Sequence, residues 1–128
     1  MRIPRDALVP AGHPAAAAQT VALRDLAGLP MALEPRAHGP ASHDLTADLA
    51  AVEGVPLALV TAADDRAALL AVAGGGVMAL SADAGTRGRG VARVRLDGDP
   101  LPLRLRVAWP AGRPLGPLAE SLTETLAP

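Results

Sequence analysis

Short apolar runs alternate with longer amphipathic ones along the first two thirds of the chain. Ala7, Leu8 and Val9 stand between Arg5-Asp6 and Pro10, which predicts a strand broken by Gly12-His13-Pro14. Thr20 is placed to cap a short helix through Val21, Leu23, Leu26 and Ala27, stopped by Gly28. Residues 30–34 read as a short buried strand, and residues 35–40, with two prolines and a glycine, as an irregular loop. Leu45, Leu49 and Val52 then recur at helical spacing, with Ser42 or Asp44 as the cap and Gly54 as the stop. Residues 55–61 are almost continuously apolar, as expected of a strand covered on both faces. Asp64 and Asp65 open a helix continued by Leu69, Leu70, Val72 and Ala73, at the end where negative charge suits the helix dipole. Three glycines at 74–76 turn the chain into a strand over 77–80.

Residues 30–81 therefore read β-α-β-α-β, which predicts right-handed crossovers and a parallel sheet. After a Gly-rich loop at 83–90 the period changes to two. Residues 91–96 and 103–109 alternate, with the turn Asp97-Gly98-Asp99-Pro100 between them, which predicts an antiparallel strand pair. A loop at 110–114 precedes an amphipathic helix over 115–126. No internal repeat is visible, and Ala15 to Ala18 form a small low-complexity patch.

Composition narrows the chemistry. The length of 128 residues suits one domain. The apolar half holds 29 Ala and 20 Leu with no Phe, no Tyr and only Trp109, so the core is thin in large rings and its stability is expected to be modest or helped by association. The absence of cysteine excludes disulfides, thiol catalysis and Cys-based metal sites. All twelve cations are arginine, so a Walker lysine, a Schiff base and pyridoxal chemistry are excluded too. A net charge of −1 gives no global field toward nucleic acid or anionic membranes. The longest weakly polar stretch, residues 67–80, is too short and too broken by glycine to span a bilayer. No apolar signal segment follows Met1, so a cytoplasmic location is the expectation.

Four segments, in order, carry a resemblance. Residues 5–14 (RDALVPAGHP), 21–30 (VALRDLAGLP), 69–80 (LLAVAGGGVMAL) and 104–115 (RLRVAWPAGRPL) resemble the effector-binding domain of LysR-type transcriptional regulators. Two departures stand out: Ser81 replaces the proline usual after that third strand, and the last helix lacks its common aromatic residue. The resemblance implies a type-2 periplasmic-binding-like α/β fold, a central mainly parallel sheet flanked by helices with one antiparallel strand pair near the C-terminus. It implies one effector-binding-like domain over residues 1–128. Residues 11–96 would form one complete lobe. Residues 103–128 would supply the returning strand and C-terminal helix of a second lobe whose first half, like the helix-turn-helix head, is not in this sequence. On that reading, residues 103–126 are expected to pack back on their own sheet or to exchange with a second chain, because exposed apolar area is costly.

The same resemblance places small-molecule contacts in loops at the carboxyl ends of the strands, where ligands sit in parallel α/β sheets. The expected ligand-binding residues are Glu34, Pro35, Arg36, His38, Ser42, Thr61 and Ser81. Arg36 would take a carboxylate bidentately, and Ser42 and Thr61 would donate hydroxyl hydrogen bonds. His38, His43 and Asp44 match no zinc spacing and read as surface groups, and His13 as a turn residue; no metal or cofactor is expected. The acid pair Asp64-Asp65 reads as capping, and Ser42, Ser81 and Ser121 lack a nucleophile elbow, so no catalysis is expected. Arg93 with Arg95, and Arg104 with Arg106, each share a strand face; if their strands pair, four guanidinium groups form a ribbon suited to an acidic partner, though no aromatic residue interleaves for base stacking.

The function expected is a non-catalytic module of a LysR-type regulator that senses a small-molecule effector, an organic acid or amino acid, within a homo-oligomer. The chain carries no DNA-binding element and no membrane contact is expected. The alternatives are a free-standing small-molecule-binding or sequestering protein and an Arg-rich interaction module.

Overall fold

The computed structural model describes residues 1–106, 108–113 and 116–126. Its strands are β1 (Arg2–Ile3), β2 (Asp6–Pro10), β3 (Thr20–Val21), β4 (Met31–Leu33), β5 (Leu59–Thr61), β6 (Ala79–Ser81), β7 (Val91–Leu96) and β8 (Leu103–Arg104). Its helices are α1 (Pro40–Val52), α2 (Asp65–Ala73) and α3 (Pro117–Leu126). Three 3-10 turns lie at Pro14–Ala17, Leu23–Leu26 and Arg36–His38.

Residues 30–81 fold as β-α-β-α-β with their strands parallel. β4 pairs with β5 in parallel, and Met31 bridges in parallel to Met78, where Met78 donates to the Pro30 carbonyl and Ala32 to the Met78 carbonyl, both at 2.8 Å. β2 then runs antiparallel between β6 and β7, and β3 lies parallel to β7. Across the Met31–Met78 bridge the spatial order is β5-β4-β6-β2-β7-β3.

Strand alternation divides the core between the two faces of this sheet. Ala7 and Val9 of β2, Met31 of β4 and Met78 join Leu23, Leu26, Ala50 and Leu101 in the larger cluster. Leu8, Ala32 and Ala79 point the other way and pack with Val72 of α2 and with Ala62. The lack of phenylalanine and tyrosine is met by close approach, with Ala7 and Ala50 fully buried.

Several local expectations change. Thr20 opens no helix: it pairs with Arg95 as part of β3, where the Gln19 and Val21 carbonyls accept from the Arg95 and Asp97 N–H groups at 3.1 and 2.9 Å, and a single 3-10 turn follows over Leu23–Leu26. Residues 35–40 are not wholly irregular, since Arg36–His38 closes one 3-10 turn. Neither Ser42 nor Asp44 caps α1. The helix starts two residues earlier at Pro40, whose fixed φ and missing N–H suit the first helical position, with Gly39 at the cap. Its fully buried residues are Thr46 and Ala50; of the expected face Leu49 packs partly buried against the larger cluster, while Val52 is 81% exposed. The cause is packing: Ala50 lets the helix approach the sheet closely, and Thr46 meets a guanidinium that an aliphatic side chain could not satisfy.

β5 is shorter than expected and is not covered on both faces. It is an edge strand paired only with β4, and Leu59 and Val60 are exposed. Residues 55–57 lie outside the strand, with Val55 buried in the larger cluster, and the Ala58 carbonyl accepts from the Met31 N–H at 2.8 Å. The cap at α2 is as expected: the Asp64 carboxylate accepts from the Ala67 N–H at 2.7 Å. Asp64→Ala is expected to cost about 1 kcal/mol, the usual worth of such a cap, read as a lower urea midpoint with an unchanged slope. Gly74 ends α2 while Gly75 (φ 84°) and Gly76 (φ 88°) occupy the left-handed region that only glycine enters at no cost.

The antiparallel pair near the C-terminus exists, but not between β7 and β8. β8 pairs with β1, Arg2 opposite Arg104 and Ile3 opposite Leu103, while β7 is held on both sides by β2 and β3. Asp99, with φ 48°, and Gly98, with φ 73°, turn the chain away from a hairpin course. The condition for an arginine ribbon, pairing of β7 with β8, is therefore not met. Arg93 Nε donates to Asp6 at 2.6 Å, and its Nη1 and Nη2 donate to the Asp83 and Ser81 carbonyls, whereas Arg104 lies on the other strand pair. Val107, within the expected strand, and Leu115, at the start of the expected last helix, lie outside the described residues. α3 itself buries no residue, and Leu118 is 76% exposed, so its described part does not pack back on the sheet.

A cavity at the carboxyl ends of the parallel strands

β4 and β6 both end at the same edge of the sheet, and α1 and α2 begin there. Because β2 runs antiparallel to β6, its start lies at this edge as well, with Asp6 opposite Ser81. Arg5 is thus carried to the place where the loops after β4 and β6 meet the first turns of the two helices. A cavity of about 430 Å³ opens at this junction, within the usual size range of a small-molecule site.

On the cavity's buried side, Arg5 Nη2 donates to Thr46 Oγ1 at 3.0 Å and Arg5 Nε to the Leu101 carbonyl at 2.7 Å. Thr46 Oγ1 in turn donates to the Ser42 carbonyl one turn earlier, at 2.9 Å, so the only buried polar side chain among the described residues is satisfied. Burial pushes the Arg5 guanidinium below the usual arginine range, and attraction from Asp99 offsets part of that. Both acceptors of Arg5 are neutral.

Of the residues expected at a site, Glu34, Pro35, Ser42 and Ser81 line this cavity. Ser81 Oγ lies 3.0 Å from Thr86 Oγ1 and accepts from the Asp83 N–H at 3.2 Å. Arg36, His38 and Thr61 are not among its lining residues. Arg36 already holds a carboxylate bidentately, that of Asp44, with Nε to Oδ1 at 2.7 Å and Nη2 to Oδ2 at 2.5 Å. The hydrogen bond from Arg36 holds the Asp44 carboxyl below the usual carboxylate range, with attraction from His43 adding to it. His38 closes the exposed 3-10 turn, and Thr61 pairs with Leu33 on the edge strand. Among the described residues no group of three His, Asp or Glu side chains is placed to hold a metal ion, and no helix is long and apolar enough to cross a membrane.

Sequence reasoning passed over Arg5, His43, Thr46, Asp64, Asp65, Asp83 and Thr86, all of which line the cavity. Asp64 and Asp65 carried a visible signal, since a helix cap after a parallel strand sits at the ligand end of the sheet. Arg5 carried none, because its place depends on β2 running against its neighbour.

The resemblance noted in the sequence has independent support. The chain matches the model of the LysR substrate binding domain over residues 1–128. No curated protein sequence matches it. Among solved structures, the effector binding domain of QuiR in complex with shikimate aligns over 98% of this chain and 60% of its own, at 13% identity and a TM-score of 0.72. The BenM effector binding domain with its effector benzoate aligns over 80% of this chain and 49% of its own, at 20% identity and a TM-score of 0.66. A LysR family regulator from Pseudomonas aeruginosa, the PA01 protein, aligns over 75% and 36%, at 24% identity and a TM-score of 0.64. At these identities the likeness is one of fold, and the chain spans between about a third and three fifths of each structure's length. The type-2 periplasmic-binding-like α/β architecture is thus established on the coordinates and on these neighbours together, and the chain belongs to the LysR substrate binding domain family.

Proposed function

We propose that the chain is the effector-sensing part of a LysR-type transcriptional regulator, with the cavity at the ends of β4 and β6 as its share of the effector site. The observation that carries this reading is the cavity itself: about 430 Å³, at the ligand-binding end of a parallel sheet, with Arg5 held by neutral acceptors. The neighbours described with benzoate and shikimate support a small organic ligand as the class.

In this reading residues 11–96 are one lobe, and residues 103–128 are the returning strand and helix that meet a second lobe. Glu34, Pro35, Ser42 and Ser81 contribute to the ligand's surroundings with Arg5, and Arg36 orients the loop through Asp44 without touching the ligand. The effector, an organic acid or amino acid, favours one lobe arrangement over another and so shifts the geometry of a cytoplasmic homo-oligomer on DNA. The DNA contact belongs to another segment or a partner. No catalytic step is assigned: Ser81 Oγ is engaged with Thr86 and Asp83, and among the described residues no histidine is hydrogen-bonded to a serine.

Ser42→Trp tests the reading. Ser42 is exposed at the cavity wall, so a ring there blocks the space without disturbing the core. In a thermal-shift screen of organic acids and amino acids, native-state binding raises the melting temperature by mass action. Stabilisation by any member that survives unchanged in Ser42→Trp places the ligand elsewhere.

A further inference from the structure

The charges around the cavity are divided by depth. Arg5 is half-buried beside the fully buried Thr46, and no carboxylate lies within ion-pair distance of it among the described residues. Its Nη1 makes no hydrogen bond among those residues, because Nε is taken by Leu101 and Nη2 by Thr46. Attraction from Asp99 offsets only part of the cost of burying Arg5, and with neutral acceptors alone in hydrogen-bond contact the guanidinium lacks a charge-assisted partner facing the cavity. An anionic ligand group would supply that partner.

The exposed side of the same cavity has the opposite sign. Glu34, Asp64, Asp65 and Asp83 all line it, and all four are exposed. Two of them are fixed in place: Asp64 by the Ala67 N–H at 2.7 Å and Asp83 by the Gly85 N–H at 2.8 Å. Their second oxygens stay free for another donor among the described residues. Arg36, the cation nearest in sequence to Glu34, is consumed by Asp44 and does not neutralise this rim. A ligand that is only an anion gains at Arg5 and is repelled by four carboxylates on its way in. A ligand with an anionic end and a protonated amine gains at both.

We infer that the ligand of this cavity is zwitterionic, with its carboxylate on Arg5 and its protonated amine toward the Glu34, Asp64, Asp65 and Asp83 rim, so that an amino acid is favoured over a simple organic acid. This rests on the reading of the cavity as the effector site. The dimension is suitable: a cavity of about 430 Å³ has room for a single amino acid.

The test is calorimetric titration of the whole chain with the proteinogenic L-amino acids, their N-acetyl derivatives, and benzoate and shikimate as amine-free anions. The expected result is that the best free amino acid binds at least about tenfold more tightly than its N-acetyl form. In the variant Glu34→Gln/Asp64→Asn/Asp65→Asn/Asp83→Asn, which removes the rim's charge while the Asn carbonyls keep the acceptors for the Ala67 and Gly85 N–H groups and the Arg5 contacts stay intact, that ratio is expected to fall close to one. N-acetyl forms or amine-free anions that bind as tightly as the free amino acid overturn the zwitterion and leave the cavity's role standing. A ratio that survives in this charge-neutral variant also overturns it, since the amine is then recognised elsewhere. Binding by none of the compounds, or binding indifferent to Ser42→Trp, overturns the reading of the cavity and this inference with it.

Discussion

Replacing Met31 by alanine is expected to destabilise the fold by about 2–5 kcal/mol, the range for large-to-small changes at fully buried positions. Met31 has no exposed surface and stands where β4 is held on both sides, opposite Leu59 of β5 and bridged to Met78. It belongs to the larger cluster with Leu26, Val9 and Leu101. In a core without a phenylalanine or tyrosine, few neighbouring side chains are large enough to collapse into the space it leaves. The loss sits at the centre of the sheet, so a cooperative shift of the whole urea transition is expected, with the slope unchanged. Met31→Leu, which keeps the volume, is expected to cost less than about 1.5 kcal/mol. A Met31→Ala midpoint close to the parent's would mean that the Met31–Met78 bridge does not join two halves of one sheet.

The elements legible in the amino-acid sequence are those whose signals are local. Asp64 before α2, the glycines after it, and the short apolar runs over 30–34 and 77–80 carry their conformation in their own side chains, and the parallel β-α-β-α-β order follows from them. The errors fall where a partner distant in sequence decides. Thr20 looks like a cap until Arg95 is found beside it. Leu49 does pack on the core, but Leu45 and Val52 look like the rest of the buried face of α1 until Arg5, forty-one positions from Thr46, turns the helix to use its hydroxyl. β8 looks like the second strand of a hairpin with β7, but β2 and β3 already occupy both edges of β7, and β8 finds β1 at the other end of the chain.

The candidate site divides in the same way. Glu34, Pro35, Ser42 and Ser81 are legible because a rule of position, the carboxyl ends of parallel strands, needs only the strand order. Arg36 follows the same rule and is intercepted by Asp44, eight residues on, a pairing visible only once the 3-10 turn and α1 are set at an angle. The acidic rim is present in the sequence as three separate facts, an acid in each of two loops, Glu34 and Asp83, and the pair Asp64-Asp65 at a helix start. Only the fold makes them one surface.

Arg93 and Arg95 give the sharpest separation between what a ribbon of arginines would do and what these residues do. Arg93→Ala is expected to cost about 1.5–3 kcal/mol, the range for a part-buried charged group that makes several hydrogen bonds. Its side chain is 21% exposed, against 30% for its partner Asp6, so solvent screening discounts the ion pair only in part. The guanidinium joins β7 to Asp6 of β2 and to the carbonyls of Ser81 and Asp83 at and after the end of β6, so one residue closes three strands at the cavity end. Its removal leaves Asp6 without its cation and frees the Ser81–Asp83 loop that lines the cavity. Ligand-dependent stabilisation is therefore expected to weaken along with the fold. Arg95, two residues on, is exposed, and Arg95→Ala is expected to stay within about 0.5 kcal/mol. Equal effects of the two substitutions on the urea midpoint, together with equal losses of binding to an anionic polymer, would restore the ribbon and remove Arg93 from the cavity's frame.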